Sequence, residues 1–434
     1  MQLYPIFLQH PTICTDSRVC PLDSLFFALK GDNFNANGFA IAALEKGCAY
    51  AVVDEAEYAI DDRFILVDNV LESLQELATY HRKQIGTKII GITGTNGKTT
   101  TKELIAAVLK EKYNILFTQG NLNNHIGVPL TLLQLKSEHQ LAIIEMGANH
   151  PGEIEQLCGI TQPDYGIITN VGKAHLEGFG SLEGVMKTKA ELYDYISAFG
   201  NLIFINSGNL LLEKMAKESG LITPDKKLGY SLNENDNTAE YFGEITDCSP
   251  FLQMNWKRKG NDPVETKTNL IGSYNAENVL AAVTIGGYFG LTDEQIKNGL
   301  EKYIPQNNRS QLTLTEHNKL VVDTYNANPT SMRAAILNFA QMKVYKKTLI
   351  LGDMLELGNQ SDAEHQNIVD LLQQNKLKNV LLVGKEFKKT RNSFHSFENV
   401  TDLIDYINEN PLNNNYILIK GSRGIKLEKV LTSL

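Results

Sequence analysis

No uncharged apolar run in the 434-residue chain is long enough to cross a bilayer. The opening residues, MQLYPIFLQHP, lack both the basic start and the apolar centre of a secretory signal. Cysteine is scarce. Cys14, Cys20, Cys48, Cys158 and Cys248 are odd in number and scattered, with no C-x-x-C pair. That suits the reduced thiols of a cytoplasm better than a disulfide framework or a zinc site. Basic residues number 41 against 50 acidic ones, and the formal net charge of −9 argues against nonspecific nucleic-acid binding, leaving only a local basic cleft open. Internal repeats and low-complexity tracts are missing, residues 413–415 forming only a short polar turn, and Trp256 is the one tryptophan. The expectation is a cytoplasmic globular protein without a membrane or nucleic-acid partner.

What is present fits that class, with 42% hydrophobic and 21% charged residues. The length exceeds one core and predicts two to three domains. Alternating strand and helix patterns predict an α/β fold in three domains. Residues 1–84 read as a small N-terminal α/β domain, with strands at 24–29, 49–53 and 63–67 and helices at 39–47 and 71–84. Residues 85–305 read as a central P-loop ATPase-like domain. Its continuous apolar strands at 88–93, 141–146, 165–171 and 201–206 indicate a parallel sheet covered on both faces. The polar, strand-like residues 225–270 read as an excursion at its edge, and 274–288 as a helix. Residues 306–434 read as a Rossmann-like domain, with strands at 319–323, 348–351, 379–383 and 416–420 but no G-x-G-x-x-G loop.

The chain is organised around residues 88–102, KIIGITGTNGKTTTK. An apolar strand leads through Gly94-Thr95-Asn96-Gly97-Lys98-Thr99-Thr100 into a helix-forming segment. Glycines let backbone N–H groups turn inward, and a helix N-terminus favours anions. Lys98 can reach terminal phosphates and the Thr99 hydroxyl can ligate Mg²⁺. The longer G-x-x-x-x-G-K-[ST] pattern needs glycine at Ile92, so this is the shorter G-x-x-G-K-T.

Other residues have a bland reading beside a chemical one. Glu145 ends a strand, where open parallel sheets bind ligands; it is either a solvated acid or an oxygen ligand for Mg²⁺. His175, after the next strand, is either structural or a second ligand. Lys189 lies in a helical stretch, and nothing in local physics distinguishes it from a solvated surface lysine. Asn275 and Asn278, one turn apart, suit either a helix cap or an adenine edge. Asp323 ends a strand before Thr324-Tyr325-Asn326-Ala327-Asn328-Pro329. Asn-Pro marks a turn and Thr330 or Ser331 a helix N-cap, while the aspartate and asparagines also suit a ribose or polar substrate. Arg309 is a surface arginine or a phosphate contact across a cleft. Thr15-Asp16-Ser17-Arg18 is a capped turn or part of a site.

Taken together, TDSR (15–18), TGTNGKTT (93–100), GNLNNHIGVPLTLL (120–133), IIEMGANHPGEI (143–154), AHLEGFGSLEGVMKTKAEL (174–192), DTYNANPTSM (323–332) and LGDMLELG (351–358) resemble the Mur ligases over nearly the whole chain. Within that family they resemble the branch that adds D-alanyl-D-alanine. The resemblance implies an ATP-dependent ligase that joins D-alanyl-D-alanine to UDP-N-acetylmuramoyl-tripeptide and works as a monomer. It also implies two Mg²⁺ ions and a CO₂-derived carbamate on Lys189. In its terms Lys98, Glu145, His175 and Lys189 are catalytic; Thr99, Glu145, His175 and carbamylated Lys189 hold the metals. Gly94–Thr100, Asn278, Arg309 and Asp323 contact ATP. Ser17 and Arg18 fall in the UDP-sugar segment, and Asn121 and Asn123 in the loop facing the muramyl peptide; Asn326 is a candidate for substrate and Arg423 for the dipeptide carboxylate. Two departures are Tyr274, where the family commonly has histidine, and Asn308, where it has glycine. A ligase adding another amino acid and a non-catalytic, nucleotide-gated binding protein remain the alternatives.

Overall fold

Along Lys88–Thr93 both faces are apolar, so the strand can be buried on both sides, and its alternate side chains sort into two cores. Ile90 and Ile92 pack with Leu104, Ile105 and Val279 on one face, whereas Ile89 joins Leu132, Ile144 and Leu192 on the other. The computed structural model describes residues 3–31, 33–306 and 309–434. Among them Lys88–Thr93 lies inside a nine-stranded sheet, between Leu141–Glu145 and Tyr165–Ile168, parallel to both. Helices Lys98–Leu109 and Ala276–Tyr288 cover one face; Glu153–Thr161 and Leu182–Phe199 cover the other.

The expected excursion at 225–270 is part of this same sheet. Lys227–Ser231 and Ala239–Cys248 continue it in parallel, and Phe251–Arg258 and Val264–Ile271 fold back as an antiparallel edge. Polar residues alternate with buried ones there because one face is solvated, a pattern that the antiparallel edge permits.

Two smaller sheets flank the central one in the chain. Ile13–Cys14, Leu25–Phe27, Tyr50–Val53 and Phe64–Leu66 pair in parallel, and Val70–Ile85 packs their unit onto the central helices. Arg82 ties the end of that helix to the carbonyls of Thr161 and Gln162 and to Asp164. In the last third, six strands lie in the order Gln311–Leu314, Lys319–Asp323, Tyr416–Lys420, Lys347–Gly352, Val380–Val383, His395–Phe397, all parallel except the first. Four short elements, Leu3–Gln9, Ile115–Phe117, Gln311–Leu314 and His395–Phe397, had too few residues for a clear period. The helix after Asp323 is capped by Asn328 rather than by Thr330 or Ser331. Pro329 takes its first position, and the Asn328 side chain accepts from the Ser331 N–H while Ser331 reciprocates. The carboxyl ends of the central and last sheets face one cavity.

Trp256, 1% exposed and donating to Thr266 Oγ1, packs in the core that holds the helix after the phosphate loop. Trp256→Ala is expected to cost about 3–5 kcal/mol, read as a lowered urea midpoint of the main unfolding transition.

Candidate active site

The loop after Lys88–Thr93 is tight enough to require its glycines. Gly94 has φ +142° and Gly97 φ +77°; a Cβ would lie 2.0 Å from Thr169 Oγ1 at the first and 2.7 Å from Asn278 Oδ1 at the second. The backbone N–H groups of Thr95 and Asn96 are held by the carbonyl and side-chain oxygen of Asn170. Ile92 needs no replacement by glycine because the strand still runs there, paired with Glu145 and Ile167. The loop is shorter because it starts later. Lys98 opens the helix Lys98–Leu109 and curls back, donating to the carbonyls of Gly94 (2.6 Å) and Thr95 (3.1 Å). Burial lowers its pKa to about 8, opposed by Glu145 and assisted by Arg309.

Glu145, 2% exposed, is the strand-end carboxylate beside this loop. Its Oε1 accepts from Thr99 Oγ1 (3.2 Å) and Asn123 Nδ2 (2.9 Å). Its Oε2 is buried without a hydrogen bond, and Lys102 Nζ stands 3.6 Å away as the counter-charge. Lys102 is 1% exposed, lies over the Phe117 ring, and was not singled out from the sequence. The available signal was its place one helical turn beyond Lys98 and Thr99.

His175 has φ +49° and hydrogen-bonds through Nδ1 to Glu356 Oε2 at 2.6 Å. That bond holds the Glu356 carboxyl below its usual range, with burial opposing it. Lys189 is not a surface lysine. It is 2% exposed, on the face of Leu182–Phe199 that also buries Val185, Thr188 and Leu192. Burial first, then the nearby Lys98 charge, lowers its pKa to about 7. The Phe179 ring links the two residues, with the His175 ring on one side at 6.3 Å and Lys189 Nζ 5.5 Å from its centroid.

A cavity of about 890 Å³ joins the phosphate loop, Asn123, Glu145 and His175 to Arg309, Asp323, Asn326 and Lys420 from the last sheet. Asp323 accepts from the buried Lys420 at 2.7 Å, a partner supplied by the neighbouring parallel strand. Arg309 stacks on the Tyr325 ring at 3.8 Å and leaves its buried Nε without a hydrogen-bond partner. The two sheets' units touch directly: Asn328 Nδ2 donates to Asn96 Oδ1 at 2.8 Å, and Lys173 pairs with Glu364 at 2.7 Å. Tyr274 also joins them, its hydroxyl hydrogen-bonded to Ser310. Asn278 lines the cavity with its amide engaged by Thr101 and Asn275.

Six candidates lie outside this cavity's lining: Gly94 and Lys189, placed above, and four more. Arg18 is an exposed arginine forked onto Asp16, and the Ser17 carbonyl accepts from Lys46. Asn121 is exposed beside Asn123, and Arg423 is exposed with its guanidinium 5.8 Å from the Tyr325 ring centroid. The departure at Asn308 falls outside the described residues.

Residues 92–286 match the family described as Mur ligase middle domain, and residues 308–423 the one described as Mur ligase, glutamate ligase domain. The UDP-N-acetylmuramoyl-tripeptide–D-alanyl-D-alanine ligase of Bacillus subtilis (strain 168) is 34% identical, the match covering 97% of this chain and 92% of the relative. The Escherichia coli (strain K12) protein of the same name is 35% identical over 97% of this chain and 93% of its own. A crystal structure of MurF from Acinetobacter baumannii superposes with a TM-score of 0.85 at 31% identity, covering 98% of this chain and 93% of that one. MurF from Thermotoga maritima in complex with ADP shares the fold, with a TM-score of 0.85 at 24% identity over 98% and 97% of the two chains.

Lys102→Met removes the counter-charge of a buried carboxylate and is expected to lower stability by about 3–5 kcal/mol. Adding Glu145→Gln should recover most of that loss, a non-additivity measured by a denaturation double-mutant cycle.

Proposed function

The chain belongs to the Mur ligase family, and we propose on that premise that it joins D-alanyl-D-alanine to UDP-N-acetylmuramoyl-tripeptide at the expense of ATP. The near-full-length likeness to D-alanyl-D-alanine ligases at 34–35% identity carries this reading. The cleft between a phosphate loop and a second sheet's strand ends supports it. The tripeptide's terminal carboxylate attacks the γ-phosphorus of ATP, breaking its bond to the β–γ bridging oxygen and giving an acyl phosphate and ADP. The amine of D-alanyl-D-alanine then attacks the acyl carbon; the C–N bond forms, inorganic phosphate leaves, and the amine loses a proton.

Negative charge gathers in both steps, so the protein's part is positioning and electrostatics. Lys98, already protonated and held at the loop mouth, is the residue for the transferring phosphoryl group. Arg309, with a donor still free in a buried setting, meets the same group from the opposite wall. Gly94–Thr100 cradle the phosphates, Asn278 lies on the adenine side, and Asp323 serves the ribose. Asn121, Asn123, Asn326 and Arg423 are assigned to the peptide substrates, and Ser17 and Arg18 to the UDP-sugar end. An acyl phosphate hydrolyses readily in water, and the contacts of Asn328 with Asn96 and of His175 with Glu356 roof the cleft against it.

The donor set fits Mg²⁺. A buried carboxylate oxygen without a hydrogen bond lies beside a threonine hydroxyl, both of them hard oxygen donors. Thr99, Glu145 and His175 would hold two ions with Lys189, and the metal when bound neutralises phosphate charge. Lys189 as an ammonium does not suit that set. Its depressed pKa leaves a neutral amine near pH 7, which can add CO₂ to give a carbamate and one proton. The result is an anionic oxygen ligand in place of a buried cation. A cytoplasmic location and a monomeric state complete the proposal; among the described residues no helix is long and apolar enough to cross a membrane.

Mass spectrometry of UDP-N-acetylmuramoyl-tripeptide, D-alanyl-D-alanine and ATP after incubation should find the pentapeptide with ADP and phosphate. Product only with glutamate or a diamino acid as the amine would overturn the assignment. Lys98→Ala should cut turnover roughly 100-fold or more with the fold intact. Carbon-13 NMR in labelled bicarbonate should find a carbamate that Lys189→Ala abolishes. Its occupancy should rise between about pH 6 and pH 8, because the amine loses its proton near 7 instead of near 10.5.

A further inference from the structure

The first sheet gathers three thiols for which the ligase chemistry has no use. Cys14 ends the strand Ile13–Cys14, Cys20 closes the loop that follows, and Cys48 stands just before Tyr50–Val53. The strand Leu25–Phe27 lies between those two strands, and the parallel pairing of all three brings residues 14 and 48 to one side of the sheet. The three Sγ atoms all lie within 4.8 Å of one another, with Cys14 and Cys20 at 3.8 Å. Cys14 and Cys48 are 3% and 4% exposed, while Cys20 is half-buried and leaves a way in from solvent.

The Cys14–Cys20 separation is that of two thiolates on one metal, and all three sulfurs lie close enough to reach one ion. Sulfurs bound at about 2.3 Å around one ion are separated by roughly 3.8–4.0 Å in tetrahedral or trigonal geometry. Isolated buried thiols need only apolar neighbours; these three instead face one another, Cys48 coming from a distant segment of the chain. Their other partners are weak ones: Cys14 Sγ lies 3.3 Å from the Asp16 carbonyl and 3.7 Å from that of Val19, Cys20 Sγ 3.6 Å and 3.9 Å from the Ser17 and Asp16 carbonyls, and Cys48 Sγ 3.2 Å from Ser24 Oγ. Three thiolates on a divalent ion leave one negative charge. Lys46, whose Nζ sits 2.7 Å from the Ser17 carbonyl, offsets it, and the neighbouring Asp16 is already neutralised by Arg18.

We propose that Cys14, Cys20 and Cys48 form a three-thiolate site for a thiophilic d¹⁰ cation such as Zn²⁺, with the fourth coordination position open. Burial pushes the Cys14 thiol up to about 12 and raises Cys48 as well. Binding forms three metal–sulfur bonds and releases three protons to solvent, with no change of oxidation state, so affinity rises with pH. The ion would brace both ends of the loop that carries Ser17 and Arg18.

The test titrates Zn²⁺ into the full chain, reduced and stripped by a chelator, against a chromophoric competitor; Cd²⁺ reports thiolate ligation by ultraviolet charge-transfer absorbance. One equivalent is expected, with Cys14, Cys20 and Cys48 protected from alkylation. Affinity should fall more than about tenfold in Cys14→Ser, Cys20→Ser and Cys48→Ser and stay unchanged in Cys158→Ser and Cys248→Ser. If a variant at a buried thiol does not fold, the half-buried Cys20→Ser decides. Zn²⁺ binding equal to that of Cys20→Ser overturns the proposal, as does a Cys14–Cys20 disulfide in protein kept without reductant that leaves Cys48 free to alkylate. None of these readouts depends on ligase activity.

Discussion

A carboxylate removed from water must find partners, and Glu145 sets that demand at the centre of this molecule. It comes to the loop because Leu141–Glu145 and Lys88–Thr93 run parallel with Glu145 opposite Ile92, which leaves the carboxyl level with the start of Lys98–Leu109. The start of that helix supplies Thr99, its next turn Lys102, and the loop after Ile115–Phe117 supplies Asn123. One oxygen is fully satisfied; the other is left facing only a lysine at 3.6 Å. A fully satisfied carboxylate would have little to offer a cation, and an unpaired one would not stay ionised at that depth. The halfway state is what the Mg²⁺ role proposed above for Glu145 requires.

The same tension recurs with cations. Lys98 and Arg309 line the cleft and Lys189 is buried near Lys98, with fewer anionic partners than buried positive charge ordinarily requires, and burial pushes down the pKa values of Lys98 and Lys189. The polyanionic substrates proposed above would relieve this deficit when they bind. The fold pays for that deficit with two large apolar cores on either side of the central sheet.

Much of this was legible in the residues. The apolar runs of the inner strands, the glycine loop and the strand-end acids follow from local pattern, and they gave the α/β fold and the cleft's phosphate side. Lys189 was misjudged by local physics although Val185, Thr188 and Leu192 mark the buried face of its own helix; a lysine on such a face is the anomaly to heed. Lys102 repeats that lesson one turn after Lys98. Other features have no local trace. Lys420 meets Asp323 only because Tyr416–Lys420 is inserted next to Lys319–Asp323, and the three thiols meet only through the order of strands in the first sheet. The edge at 225–270 looked foreign because one solvated face replaces a buried run with alternation. Glu356 and Asn328 act across an interface that depends on how whole units dock.

That docking has a thermodynamic signature in one side chain. Asn96 accepts from Asn328 through Oδ1, while its own Nδ2 is buried without a hydrogen-bond partner. An orphaned amide donor costs about 1–3 kcal/mol, so the contact that joins the units also carries a penalty that water would remove once they part. A seal with every group content would hold its products as firmly as its substrates. In this contact the unsatisfied group is a single amide, in the loop proposed above to hold the phosphates.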